Sequence, residues 1–183
     1  HYNYWSLTSL INFFNKFDAK IFKSERVNTH GGSIRIYIKK NKKTKVQNSV
    51  KSMLKEEEKF GIKKFKTYED FGKKVYKIRE NVRKNILKLK ENGTKIIGYG
   101  SPAKATTALN FFGISEEIEC IVEDNKLKQG KILPGVKIPI VAKSDIKNKP
   151  DYALVLAWNF INEIKSKNID LAHKFISIKD LEN

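Results

Sequence analysis

The chain contains a single cysteine, Cys120, among its 183 residues. That excludes an internal disulfide and a cysteine-based zinc cluster. Cys120 sits in an apolar, strand-like stretch, where a buried thiol is expected. Arginine is nearly as scarce: Arg26, Arg35, Arg79 and Arg83 are the only ones among 37 basic residues. No run approaches the roughly 18 consecutive apolar residues of a membrane span, and no secretory leader is visible. The expected setting is cytoplasmic, with no membrane partner. An initiating methionine is also lacking, and His1-Tyr2-Asn3-Tyr4-Trp5 reads as the interior of a protein, so a fragment of a longer parent is expected.

What is abundant is lysine. The formal net charge is +17, which invites a nucleic-acid reading. Arginine, however, is the better reader of phosphate forks and guanine edges, and the lysines are spread over the whole chain. Nucleic acid is therefore not expected as a partner. The densest run, residues 39–45, falls at a turn after a strand and reads as a solvated hairpin end. The charge favours anionic ligands in general.

Residues 6–17 fit an amphipathic helix with Ser6 as N-cap and Leu7, Leu10, Ile11, Phe14 and Phe17 on one face. Residues 20–28 and 33–39 read as two strands joined at Thr29-His30-Gly31-Gly32, with His30 as a turn residue. Residues 46–92 are helical with a break at Gly61, and Thr67-x-x-Asp70 resembles a capping box. Phe71, Val75, Ile78, Val82, Ile86 and Leu89 then repeat at three and four residues. The repeat is too short for a sustained coiled coil, so a helix docked on a sheet is expected.

From Thr94 onward, strand and helix patterns alternate. Strands are expected at 95–97, 119–122, 137–141, 153–157 and 175–178, with helices at 102–112 and 160–167. Such alternation implies a parallel sheet covered by helices. Ligands of such sheets gather at the carboxyl ends of the strands.

That rim holds the most informative segment. Gly98-Tyr99-Gly100 makes a glycine turn after a strand, and Pro102 and Ala103 open a helix. Unpaired amides and the positive end of the helix dipole then point at one place. Lys104, in the first helical turn, opposes the dipole unless an anion sits there; the plain alternative is a solvated lysine. The spacing Gly98-x-Gly100-x-x-Ala103 fits a dinucleotide fingerprint as well, with Glu123 or Asp124 near the place of a ribose-binding acid. An NAD(P)-binding oxidoreductase domain is thus the alternative reading. Residues 124–130 read as a second set of phosphate or sugar contacts, or as an ordinary polar loop. Trp158 offers a stacking face or fills the edge of the core. Asn159 contacts ligand or caps the next helix, the cap being favoured.

Five motifs occur in order: His30-Gly31-Gly32-Ser33-x-Arg35; Gly98-Tyr99-Gly100-Ser101-Pro102-Ala103-Lys104-Ala105-Thr106; Asp124-Asn125-x-x-Lys128-Gln129-Gly130; Leu133-Pro134-Gly135 with Ile138-Pro139-Ile140; and Ala157-Trp158-Asn159-Phe160. The series resembles the C-terminal domain of S-adenosylmethionine-dependent sugar C-methyltransferases. The resemblance implies a parent with a zinc domain and a methyl-donor domain upstream, and His1 as the histidine of a Tyr-x-Glu-His junction. It implies a nucleotide-diphosphate keto sugar as substrate, deprotonated beside its ketone by His1 and methylated on carbon. Gly98, Tyr99, Gly100, Ser101, Pro102, Ala103 and Lys104 would hold the diphosphate. Asp124 and Lys128 would reach ribose or phosphate, with Trp158 and Asn159 beside them. S-adenosylmethionine would serve the parent without binding this chain, and no metal is expected here. The expected fold class is α/β: a Rossmann-like parallel sheet over residues 92–183 that binds the sugar nucleotide. A helix, hairpin and broken helix over residues 1–91 would precede and pack on it.

Overall fold

The computed structural model describes residues 3–29, 31–41, 43–91 and 93–183. His1, Tyr2, His30, Lys42 and Asn92 lie outside the described residues, and with them the base expected at His1 and the turn role expected of His30. The chain divides into two compact units, residues 1–72 and Lys73–Asn183.

In the first unit, helix α1 (Leu7–Asn15) starts where expected: the Ser6 side chain accepts from the Ser9 amide, and Ser9 reciprocates. Glu57 of α2 (Asn48–Phe60) accepts from the Leu7 and Thr8 amides at 2.6 and 2.8 Å. This places a carboxylate at the positive end of α1. Strands β1 (Lys20–Val27) and β2 (Ser33–Lys39) pair antiparallel. Leu7, Ile21, Val50 and Met53 form the core of this unit. Phe17, expected on the buried face of α1, is instead exposed, because the helix stops at Asn15. Gly61 ends α2 in the left-handed region at φ +81°. Helix α3 (Phe65–Glu91) begins before Thr67, so the expected capping box does not form. The Thr67 hydroxyl donates to the Gly61 carbonyl instead, at 2.9 Å, and closes the corner between the helices.

The second unit carries the sheet: β3 (Ile96–Tyr99), β4 (Ile121–Val122), β5 (Ile140–Val141), β6 (Tyr152–Val155) and β7 (Lys174–Ser177), in the order β5-β4-β3-β6-β7. All pairings are parallel. With α4 (Ala103–Phe112) and α5 (Ile161–Lys167) around it, this is the expected Rossmann-like α/β class. Period-two alternation sends β3 side chains to both faces. Ile96 packs with Val82 and Ile86 of α3 and Leu109 of α4. Ile97 and Tyr99 pack on the opposite face, against Ile164 of α5 and Leu171. From Ile78 to Leu89 the α3 stripe is therefore docked on the sheet as expected, whereas Phe71, expected to begin that stripe, is exposed.

The strand limits differ from the sequence expectation. β3 continues through Gly98 and Tyr99, because both keep parallel partners in β4 and β6. β4 and β5 shrink to two residues each. Before β5 the chain turns at Lys137, which has φ +57°, and Leu133 and Ile138 are linked by a 2.8 Å backbone hydrogen bond. Among the described residues, no helix is long and apolar enough to cross a membrane.

Candidate functional site at the carboxyl rim of the parallel sheet

Parallel strands share one end, so β3, β4 and β6 finish on one rim. A cavity of about 590 Å³ opens there, within the usual range of ligand sites. The end of β3 contributes Tyr99, Gly100, Ser101 and Pro102; the segment after β4 contributes Glu123, Asp124 and Lys128. The wall opposite is Phe160, Glu163, Ile164, Lys167 and Asn168, in and around α5.

The glycine turn itself is real but differs in detail from the expectation. Gly100 lies at φ +83°, where only glycine is comfortable. Gly98 does not have a positive φ and belongs to β3. A Cβ there would stand 2.9 Å from Ile121 Cγ1 and 3.2 Å from Leu156 Cδ1, which gives this glycine a packing reason.

The amides of the turn are largely engaged. Gly100 N–H donates to the Val122 carbonyl at 2.8 Å. Ser101 gives both its amide and its hydroxyl to Glu123 Oε2, at 2.9 and 2.6 Å. Pro102 has no N–H. The first-turn amides of Ala103 and Lys104 remain, which by helical geometry lack an intrahelical acceptor.

Glu123 is thus a built-in clamp. Its other oxygen accepts from the Asn125 amide at 3.0 Å, and the Lys128 ammonium stands 3.6 Å from Oε2. Lys128 also donates to the Ser101 carbonyl at 2.9 Å. Burial pushes the Glu123 carboxyl up, but the Ser101 hydroxyl, the Asn125 and Ser101 amides and the Lys128 charge outweigh it. The net effect holds it below the ordinary carboxylate value.

Asp124, the next residue, works differently. Its Oδ2 accepts from the Tyr99 hydroxyl at 2.8 Å, and Asn168 Nδ2 donates to that same hydroxyl at 3.1 Å. Tyr99 is 5 % exposed and Asn168 7 %. Burial, then the hydrogen bond to Asp124 and its charge, push the Tyr99 pKa up to about 12, with Asn168 opposing. A tyrosine titrating this late keeps its proton in the folded protein after it has lost it in the unfolded one. The stability it contributes is complete below pH 10, the ordinary value, and is lost as pH rises through about 12. Alkaline titration followed by ultraviolet absorbance is expected to show one late tyrosine, missing in Tyr99→Phe. A variant titrating as wild type does would rule out this assignment.

Lys104 and Trp158 are brought together outside the cavity lining. The Lys104 ammonium sits 4.0 Å from the centroid of the Trp158 ring, a cation–π distance. Burial, with the nearby Lys179 charge, pushes its pKa below the ordinary lysine value. Trp158 begins a single 3₁₀ turn that ends at Phe160. Asn159 is exposed and does not cap α5: Phe160 holds the cap position, with no side-chain hydrogen bond. Ala103 is the first residue of α4 and is also exposed.

Phe160, Glu163, Lys167 and Asn168 were not among the residues expected from sequence. The visible signal was the i, i+4 spacing of Glu163 and Lys167, which pair at 2.7 Å on the face of α5 turned to the rim. Among the described residues, no group of three or more His, Cys, Asp or Glu is placed to hold a metal ion.

The rim therefore combines a glycine turn, a helix start and fixed polar groups in the order the motifs required. Comparison with known proteins agrees. The family described as C-methyltransferase C-terminal domain matches residues 28–177. A curated relative, "C-methyltransferase NovU" of Streptomyces niveus, is 34% identical over 167 residues, covering 90% of this chain and 40% of the relative. The chain thus spans about two fifths of that relative's length. With most of its length covered by the match, the chain belongs to the C-methyltransferase C-terminal domain family.

Proposed function

We propose that this domain holds the nucleotide-diphosphate end of a keto-sugar substrate for a C-methyltransferase parent. The observation that carries the reading is the α4 start. Two first-turn amides without an intrahelical acceptor open α4 directly after Gly100, Ser101 and Pro102 of the cavity lining, and the ammonium of Lys104, from the same turn, stands over Trp158. A diphosphate would take the amides of Ala103 and Lys104 and the ammonium of Lys104, leaving the sugar to project from the rim. Gly100 would let backbone come close, and Trp158 would hold the Lys104 ammonium over its ring. Asp124 and Lys128 would meet the nucleoside side of the ligand.

S-adenosylmethionine would supply the methyl group in the parent, bound by an upstream domain. Helix-start amides and a lysine favour a diphosphate over a sulfonium cation. No methyl-transfer step is therefore assigned to these residues. The base role that the resemblance gives His1 stays a proposal on a residue outside those described.

The dinucleotide-oxidoreductase reading has less support. Of its two candidate ribose-binding acids, Glu123 is engaged by Ser101, Asn125 and Lys128, which leaves Asp124 alone to serve it.

Thymidine 5′-diphosphate is expected to raise the melting temperature of the chain. At the same concentrations NADH fluorescence should not change, and calorimetric titration with S-adenosylmethionine should be flat. Micromolar binding of S-adenosylmethionine, or NADH bound in preference to the nucleoside diphosphate, would sink the assignment.

A further inference from the structure

The hairpin of the first unit has two edges, and the chain treats them differently. The outer edge of β1 is engaged. The Phe22 carbonyl accepts from the Gln47 amide at 2.9 Å, and the Ser24 amide donates to the Ser49 hydroxyl at 3.3 Å. The register also shifts between Ile21 and Lys23, which interrupts the straight run of β1.

β2 has no such protection. In an antiparallel pair, successive residues point their backbone groups alternately toward the partner strand and away from it. The Ser24 amide points away from β2. Ile36, opposite Ser24 in register, therefore points away from β1, and Ile34 and Ile38 follow by alternation. Among the described residues, no group outside the hairpin bonds to the amides or carbonyls of these three isoleucines. The open edge is seven residues long, with neither a proline nor a bulge. Sheets usually blunt such an edge unless a strand pairs with it. A hairpin alone is also marginal in water.

The two faces of β2 say what kind of strand fits. Ile34 and Ile36 pack on the core of Leu7, Ile21, Val50 and Met53. The other face carries Tyr37, whose hydroxyl donates to Glu25 at 2.8 Å and whose ring lies 6.3 Å from that of Phe22. Arg35 and Lys39 share that second face by alternation.

The family match indicates where the strand comes from. It begins at residue 28, in the turn of the hairpin. Yet α1 and β1, which lie before that point, fold into one compact unit with β2. The unit thus straddles the start of the C-terminal domain, and the matched relative is much longer than this chain, which spans about two fifths of it. A second copy is the rival occupant, but two chains of net charge +17 repel each other.

We propose that the open edge of β2 takes a strand from the part of the parent that precedes this domain, so that β1 and β2 are the margin of a larger sheet. The incoming strand is apolar beside Ile34 and Ile36 and carries an acid beside Arg35 or Lys39. The proposal rests on the reading of this chain as part of a longer parent, and it is independent of the ligand held by the second unit.

The test is amide hydrogen exchange, resolved by residue, in the chain alone and in the longer parent. In the chain alone the amides of Ile34, Ile36 and Ile38 should exchange freely, while those of Arg35 and Tyr37, bonded across to β1, are protected. In the parent the three isoleucine amides should slow by about a hundredfold or more. Exchange as fast in the parent as in the chain overturns the proposal. Protection in the chain alone that rises with its concentration also overturns it, and assigns the edge to a second copy. Both results leave the nucleoside-diphosphate reading standing. If thymidine 5′-diphosphate fails to bind the parent, that reading falls and the edge pairing does not.

Discussion

Replacing Gly98 by alanine is expected to lower the stability of the chain by about 1–2 kcal/mol, the balance of overpacking against strand entropy. All four residues of β3 are buried. The added methyl would press on Ile121 and Leu156, both at 0 % exposure, and neither has solvent to move into. Overpacking of this kind costs about 1–3 kcal/mol. Alanine recovers about 0.5–1 kcal/mol of that by narrowing the unfolded ensemble and suiting a strand better than glycine. Gly72 provides the contrast. It lies inside α3, and a Cβ there would meet nothing within 4 Å. Gly72→Ala should therefore raise stability by up to about 1 kcal/mol through helix propensity. Urea midpoints of the two variants should move in opposite directions. A Gly98→Ala variant as stable as wild type but weaker for a nucleoside diphosphate would restore the ligand-approach role first expected for this glycine.

Lys104→Ala should weaken binding of a nucleoside diphosphate by about tenfold to a hundredfold, the equivalent of roughly 1.5–3 kcal/mol for a charge-assisted hydrogen bond. The engaged amides sharpen the expectation. Gly100 and Ser101 already donate within the protein, so fewer backbone donors remain to compensate for the lost ammonium. Stability of the free chain should barely change. The variant loses a contact with Trp158 worth about 0.5–1 kcal/mol. It also escapes the unfavourable position of a cation at a helix N-terminus, a term of about 0.3–1 kcal/mol, and repulsion from Lys179. Lys55→Ala, at an exposed position of α2, serves as the control and should affect neither quantity much. Equal loss of affinity in both variants would mean that diffuse lysine charge holds the ligand.

Much of this architecture was legible in the sequence because its causes are local. Ser6 could be recognised as a cap, and Gly61 as a helix break, from residue type and position. Ile78, Val82 and Ile86 showed a helix face by spacing alone. Strand lengths were less legible, since β4 and β5 are bounded by what their neighbours pair with. The site divides the same way. Its β3–turn–α4 half is contiguous and was read. The Asn168–Tyr99 contact joins residues far apart in the chain, and no local pattern announces it. Nor does a glutamate in sequence reveal that its carboxylate will occupy the amide of a serine on another segment. That hidden bond is why the donors of the glycine turn were overcounted.

During synthesis from the N-terminus, β3, β4 and β5 leave the ribosome before β6 exists. In that interval β3 can pair with β4 on one side, and α3 and α4 can cover one face. The other edge of Ile96–Tyr99, later taken by β6, has no partner. An unpaired apolar edge recruits strands from other chains. Lys95 stands at the entrance to that edge, and its backbone later accepts from the Asp151 and Tyr152 amides at 3.1 Å each. A charged residue flanking an unavoidable hydrophobic strand acts as a gatekeeper. Lys95 places a charge of that kind at the end of the edge that β6 later covers.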